Sequence, residues 1–411
     1  MAGEVTLTCQ MGRPRVTTTG SSQLAYALVE MRAATAQTAG GGVSAARLPL
    51  NLALVLDHSG SMRGEKLRSV KDAVKLVIDH MNASDVVSVV IFDDNVRVVV
   101  PAQPVRDREL LKAAVDGIKD GGGTSMSLGM NVGMTELRKN ASPHTVNRMI
   151  LLTDGATYGD ADRCRRIADD AGASGIGIYP LGIGADWEED LLDNIGQRSS
   201  GLPAEFIRRP EDALGIFQQQ LQSAESVAVS NAQLTVRLYG GVTSRRAVRV
   251  LPLIADLGPS VLSDNYVTVG LGDIERDTPQ AILLELMVEN KPAGVFRIAQ
   301  AELAYDLPSG QREVTRTDAI VTFTTDPVPA DESNPQVMNY AEKANAHRLV
   351  TRVLDEYKSS GKVTIQLNPS VTRVLDPETQ RLLDQLQAGG KLSGEEIKTI
   401  GSKTRKLTQQ F

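Results

Sequence analysis

From residue 51 to about 224, short and wholly apolar runs alternate with segments whose apolar residues recur every three to four positions. That alternation predicts strands and helices in turn, the pattern of a parallel sheet covered by helices on both faces. The first run, NLALVL, carries no polar face beyond its opening asparagine and reads as a central strand buried on both sides. After the turn DHSGSMRG, the residues Leu67, Val70, Val74, Val77, Ile78 and Met81 follow at helical spacing, with Lys71, Asp72, Lys75 and Asp79 between them. Further strands are predicted at 86–92, 97–100, 148–153 and 175–183, with helices in most of the gaps. The fold class is therefore α/β, a doubly wound and mostly parallel sheet over 50–224.

From 225 to 325 the period changes to two. In QLTVRLY, the residues Leu234, Val236 and Leu238 alternate with Thr235, Arg237 and Tyr239, and five later segments punctuated by Gly, Pro and Asp are similarly extended. Serial strands of this kind predict an antiparallel β-sandwich domain. Two early segments, VTLTC and YALVEMR, also need a sheet, and Val29 and Met31 alternate there with Glu30 and Arg32. Residues 1–33 are expected to complete the sandwich, with AATAQTAGGGVSAA in a linker over 34–49 and the α/β domain as an insertion. The competing topology is an N-terminal hairpin packed on the α/β domain. A second linker is expected at 326–335 and a helical region at 336–411, where Ala346, Leu349, Val350, Val353, Leu354 and Tyr357 share one face. Short helices are expected at 376–388 and 393–399, and the last segment, with five basic and two acidic residues, could bind an acidic surface but reads first as a solvated, frayed end. PEDALGIFQQQLQSAE predicts the helix that closes the α/β domain, with Pro210 in its first turn and an apolar stripe of Leu214, Phe217 and Leu221.

Composition removes several function classes. With 411 residues, 41% hydrophobic and 23% charged, the chain can bury a real core, and a net charge of -6 gives no general attraction to nucleic acid or anionic lipid. Cys9 and Cys164 stand far apart and outside any CxxC spacing, which points to free thiols. The opening MAGEVTLTCQMGRPRV lacks the pattern of a secretory signal, and no run is long enough to span a bilayer, so a cytoplasmic protein is expected.

The chemistry gathers in three loops that follow buried strands. Asp57, Ser59 and Ser61 occupy alternate positions of the first, Thr124 lies in GGGTSMS where glycines let the backbone pass close, and Asp154 ends the strand RMILLT. In an open α/β sheet the carboxyl ends of the strands form the ligand crevice, so these side chains can meet. Two carboxylates and three hydroxyls, without sulfur or imidazole, favour a hard cation: Mg²⁺ first, with Mn²⁺ or Ca²⁺ as substitutes. Such a set does not over-neutralise a divalent ion, which can still attract an outside carboxylate. Taken singly, Asp57, Ser59 and Ser61 could serve as helix caps, but capping leaves Thr124 and Asp154 unexplained.

DHSGSM after a buried strand, the GGGTS loop and the TDG strand end, in that order, resemble the von Willebrand factor type A family over roughly residues 50–224. The resemblance implies a metal-ion-dependent adhesion site in which Asp57, Ser59, Ser61, Thr124 and Asp154 surround the cation and one position is left for a partner's Asp or Glu. A weaker likeness in domain order is to bacterial proteins of this type and to the inter-alpha-trypsin inhibitor heavy chains. His58, at the motif's variable second position, is expected to turn outward, and Asp93 and Asp94 read as turn residues without a metal role.

Catalytic readings fit less well. The glycine loop lacks a Gly-Lys-Ser/Thr ending, Ser59 stands where an aspartyl phosphatase would place a second acid, and there is no GxSxG elbow. The expectation is a non-enzymatic, metal-dependent protein-binding or scaffold protein. The alternative is an accessory subunit of an AAA+ ATPase or metal-chelatase complex.

Overall fold

The computed structural model describes residues 4–34, 47–142, 144–157, 159–276, 278–329 and 332–409. Most of the first expected linker (35–46), and positions 330 and 331 of the second, lie outside the described residues. The chain opens with strands β1 (Val5–Met11), β2 (Arg15–Thr17) and β3 (Gln23–Ala33). The α/β segment follows with β4 (Leu50–Asp57), α1 (Glu65–His80), β5 (Val86–Phe92), β6 (Val96–Pro104), α2 (Arg108–Asp116) and α3 (Met126–Arg138). It continues through β7 (Val146–Thr153), α4 (Ala161–Ala173), β8 (Gly177–Ile183), α5 (Glu189–Ser199), β9 (Glu205–Ile207) and α6 (Ala213–Glu225). Next come β10 (Val227–Leu238), β11 (Val242–Leu251), β12 (Ala255–Asp256), β13 (Tyr266–Glu275), β14 (Gln280–Val288), β15 (Gly294–Asp306) and β16 (Arg312–Thr324). Helices α7 (Pro335–Ser360), α8 (Pro369–Arg373), α9 (Pro377–Gln387) and α10 (Gly394–Arg405) complete the sequence of elements.

The α/β sheet has the order β6-β5-β4-β7-β8-β9, parallel throughout except for β6, which runs antiparallel on the edge. β4 lies inside it and is buried along its whole length because helices cover both faces. Leu52, Leu54 and Leu56 pack under Val70, Val74 and Val77 of α1 and Phe217 of α6. Ala53 and Val55 pack under Met130 and Met134 of α3 and belong to the same core as α4 and α5. The α6 stripe differs from the expectation: Leu214 is exposed, and Ala213, Phe217, Leu221 and Ala224 form the buried face. Residues 210–212 form a tight 3-10 turn before α6 begins, and this turn rotates Leu214 off the core.

Two five-stranded sheets form the sandwich, β1-β3-β14-β11-β12 and β13-β10-β15-β16-β2. β3 pairs antiparallel with β14, Val29 opposite Ile282, so β1 and β3 are integral to the first sheet, while β2 joins the second beside β16. Val29, Met31, Ile282 and Leu284 meet Leu234, Leu303 and Val321 across the core. The outer face of the first sheet is covered by α7, which shares a core with Leu28, Val248 and Leu283. This covering explains why Glu30 is buried despite its expected polar face: it pairs with Arg32 and accepts from Gln336 Nε2 of α7 at 3.4 Å.

Through Gln409 the C-terminal segment is packed rather than frayed, with Leu407 and Thr408 buried, which corrects the expectation for it. α10 runs to Arg405, six residues past the expected end at 399, lies against α7, α9 and β9, and reaches α5 through its last side chain. Arg405 Nη1 reaches Asp193 Oδ1 at 3.1 Å, Arg405 Nη2 reaches Glu189 Oε1 at 3.0 Å, and its carbonyl accepts from Ile254 N at 2.8 Å. Lys398 donates to the Trp187 carbonyl at 2.7 Å and sits 3.9 Å over its ring. Three of the five basic residues pair with carboxylates of other elements: Arg405 with Glu189 and Asp193, Lys403 with Asp376 and Glu378, and Lys406 with Glu205.

The joint between the α/β domain and the sandwich centres on Arg148 of β7, which is 1% exposed. Its guanidinium donates to Gln220 O at 3.1 Å and Ser223 Oγ at 2.9 Å in α6, and to Asp273 Oδ2 of β13 at 3.3 Å, while stacking 3.9 Å from the Tyr179 ring.

Candidate metal centre

Asp57 ends β4 and Thr153 ends β7, and because these strands are parallel neighbours, Asp57 and Asp154 emerge side by side at the carboxyl edge. Asp57 is fully buried; its Oδ1 accepts from Ser59 N at 2.8 Å and its Oδ2 from Thr153 Oγ1 at 2.6 Å. Burial pushes its carboxyl above the ordinary range, and the bonds from Thr153 and Ser59 oppose this only in part. The bond from Ser59 N folds the chain back, so the next two alternate side chains come into line. Ser59 Oγ lies 3.0 Å from Ser61 Oγ, and Ser61 Oγ donates to Asp154 Oδ1 at 2.6 Å.

The glycine loop is fastened to this turn by backbone bonds: Gly60 N donates to Gly122 O at 3.0 Å and Gly121 N to His58 O at 2.7 Å. Asp93 and Asp94 hold it from behind, accepting from Gly122 N at 2.9 Å and Gly123 N at 2.8 Å. A Cβ at Gly121 would stand 2.2 Å from Asp93 Oδ2, and one at Gly123 2.3 Å from Asp94 Oδ1, so these carboxylates and a side chain cannot share the space. Although burial acts to raise it, the Asp93 carboxyl is held below its usual range by the amides of Gly122 and Asn95. The loop thereby carries Thr124, 6% exposed, to the same edge, with its carbonyl accepting from Thr157 Oγ1 at 3.2 Å. The Thr124 hydroxyl has no hydrogen-bond partner among the described residues.

All five predicted residues thus lie on the linked loops at one edge of the sheet. Two further roles went unread in the sequence. Asp93 and Asp94 are turn residues, but their side chains also shape the glycine loop. Lys66, in the first turn of α1, places Nζ 2.5 Å from Asp154 Oδ2. His58 turns away from the donors, with Nδ1 2.8 Å from Lys119 O and Nε2 3.9 Å from Asp93.

The donor set fits a small hard cation. In an octahedron with metal–oxygen distances of about 2.1 Å, adjacent ligand oxygens stand about 3 Å apart, whereas the longer bonds to Ca²⁺ need a wider edge. The Ser59 and Ser61 hydroxyls are hydrogen-bonded to each other at 3.0 Å, which brings both oxygens within reach of a single ion. No cluster of three or more His, Cys, Asp or Glu suited to a metal occurs among the described residues, so a carboxylate-rich or thiolate cage is not what this edge offers.

Fold and edge together define an open α/β domain with oxygen donors gathered at the carboxyl ends of its central strands, carried on a β-sandwich. The chain belongs to the von Willebrand factor type A domain family, whose sequence profile matches residues 51–220. An uncharacterized protein of Synechocystis is 30% identical over 366 residues, covering 87% of this chain and 79% of its own. Inter-alpha-trypsin inhibitor heavy chain H3 of Bos taurus is 30% identical over 179 residues, which is 40% of this chain but only 20% of that protein. Among solved structures, a von Willebrand factor type A protein from Catenulispora acidiphila superposes with a TM-score of 0.77 at 19% identity, over 97% of this chain and 96% of that one. At that identity the likeness is one of fold, and it extends through the sandwich and the C-terminal helices.

Proposed function

We propose that this protein binds a divalent cation, Mg²⁺ in the first instance, through Asp57, Ser59, Ser61, Thr124 and Asp154, and uses it to hold an acidic side chain of a partner protein. The observation that carries the reading is the run of oxygens Ser59 Oγ, Ser61 Oγ and Asp154 Oδ1, spaced 3.0 and 2.6 Å apart beside the fully buried Asp57. The bound ion supplies a Lewis-acidic position open to an outside carboxylate. The chain's own part is to orient the donors: Thr153 and Ser59 N fix Asp57, and Asp93 and Asp94 fix the loop that bears Thr124. Binding rather than catalysis is supported by His58, the imidazole at this edge, whose Nδ1 is engaged with a backbone carbonyl instead of facing the donors. Domains of this family typically mediate metal-dependent protein interactions, in keeping with the same reading.

The immobilised 411-residue chain should retain its partner from native lysate in Mg²⁺, release it in EDTA, and lose it on Thr124→Ala. Equal retention in EDTA would contradict the reading.

A further inference from the structure

Lys66 is the one cation in direct contact with the donor residues among the described groups, and its position calls for a reason. It is the second residue of α1, where the positive end of the helix dipole disfavours a lysine. Its side chain is 27% exposed, with Cε and Nζ running past Gly184 at the end of β8, where an added Cβ would stand 3.7 Å away. Nζ ends on Oδ2 of Asp154, a carboxylate with no solvent exposure, while Oδ1 of the same group is taken by Ser61. Because Asp154 is the buried partner, losing Lys66 would leave its charge without a cation beside it, whereas Lys66 itself keeps access to solvent.

We propose that Lys66 is a resident counter-cation that weakens intrinsic metal affinity and makes the loaded site demand an acidic ligand. This rests on the reading of the site given above and deepens it. Within the donor set, Asp57 and Asp154 contribute two negative charges and Lys66 one positive, a net of about -1 when both carboxyls are ionised. A divalent ion turns that to about +1, and one outside carboxylate brings it to zero. Without Lys66 the loaded donor set would already be neutral and would draw a carboxylate less. The ammonium also holds Asp154 in place before the ion arrives, so the metal-free protein keeps its buried carboxylate paired.

The experiment is a calorimetric titration of the full chain with Mn²⁺ alone, comparing wild type, Lys66→Gln and Lys66→Arg at low and high salt, with melting temperatures taken with and without the ion. Lys66→Gln should bind Mn²⁺ about tenfold more tightly at low salt, with a smaller gain at high salt, and Lys66→Arg should stay within about twofold of wild type. The metal-free melting temperature of Lys66→Gln should fall, and Mn²⁺ should raise it by more than it raises that of wild type. If the variant folds only when Mn²⁺ is added, that recovery is the same outcome in stronger form. Equal or weaker Mn²⁺ binding by Lys66→Gln, or no recovery of its fold at saturating Mn²⁺, overturns the role of Lys66 while the metal site stands. Failure of wild type to bind Mn²⁺ at all removes the site itself.

Discussion

At the scale of single residues, glycine and charge placement decide what the fold tolerates. Gly182 has the Trp187 ring against it, and a Cβ there would lie 2.1 Å from Trp187 Cε2, a rigid atom in a packed core. Gly182→Ala should cost about 2 kcal/mol through overpacking, measured by urea unfolding, and a loss below about 0.5 kcal/mol would contradict the packing. His347 of α7 gives a pH dependence. Burial, then repulsion from Arg405 and Arg246, lowers its pKa to about 3, and its Nδ1 is 3.1 Å from Thr404 Oγ1. The unfolded imidazole takes up a proton near pH 6.5 and the folded one does not until about pH 3, so stability falls as pH drops through that window. Between pH 7.5 and 5.5 the contribution lost is about 1 kcal/mol, and His347→Gln should remove that part of the slope. The candidate donors Asp57, Ser59, Ser61 and Asp154 stand out in the sequence because their oxygens follow apolar strands at fixed offsets, and Thr124 because it closes a run of three glycines. Lys66 was not, because a lysine in a first helical turn looks like any solvated side chain until Asp154 is seen beside it.

Among elements, legibility follows pattern length. β4 and α1 could be read from sequence because eight buried positions and a six-residue helical face leave little ambiguity. β2 and β9, three residues each, are too short to show a period and exist through pairing with β16 and β8. The C-terminal segment failed differently: its basic residues are interchangeable with solvated ones in sequence, and only the carboxylates that the fold brings beside them, on α5, α9 and β9, tell them apart. The strand most exposed to error is β14, whose register with β3 runs from Gln280 opposite Met31 to Val288 opposite Gln23. Deleting residues 1–33 would bare that edge, apolar on both faces, and the shortened chain should aggregate on expression. A soluble, cooperatively melting deletion variant would show that the N-terminal strands are dispensable.

For the whole molecule the question is whether ion or ligand binding moves α6 against the sandwich. Ligand-driven coupling between sites typically amounts to about 1–3 kcal/mol, whereas stripping a buried guanidinium of its partner costs about 3–5 kcal/mol. Sliding α6 would take Gln220 and Ser223 away from Arg148, which Asp273 holds from the other side. The joint should therefore stay fixed, and hydrogen exchange across 210–240 should be unchanged when Mg²⁺ is added. Faster exchange confined to that segment would mean the Arg148 network has a second arrangement.

The reading stands or falls on whether the five oxygen-bearing side chains at one sheet edge form a divalent-cation site. Calorimetric titration of the full chain with Mg²⁺, in wild type and Asp57→Ala, measures it most directly. Wild type should bind at one site, and Asp57→Ala, still folded, should bind at least about tenfold more weakly, because no other carboxylate can replace Asp57 at the end of β4. Undiminished Mg²⁺ binding by folded Asp57→Ala would contradict it.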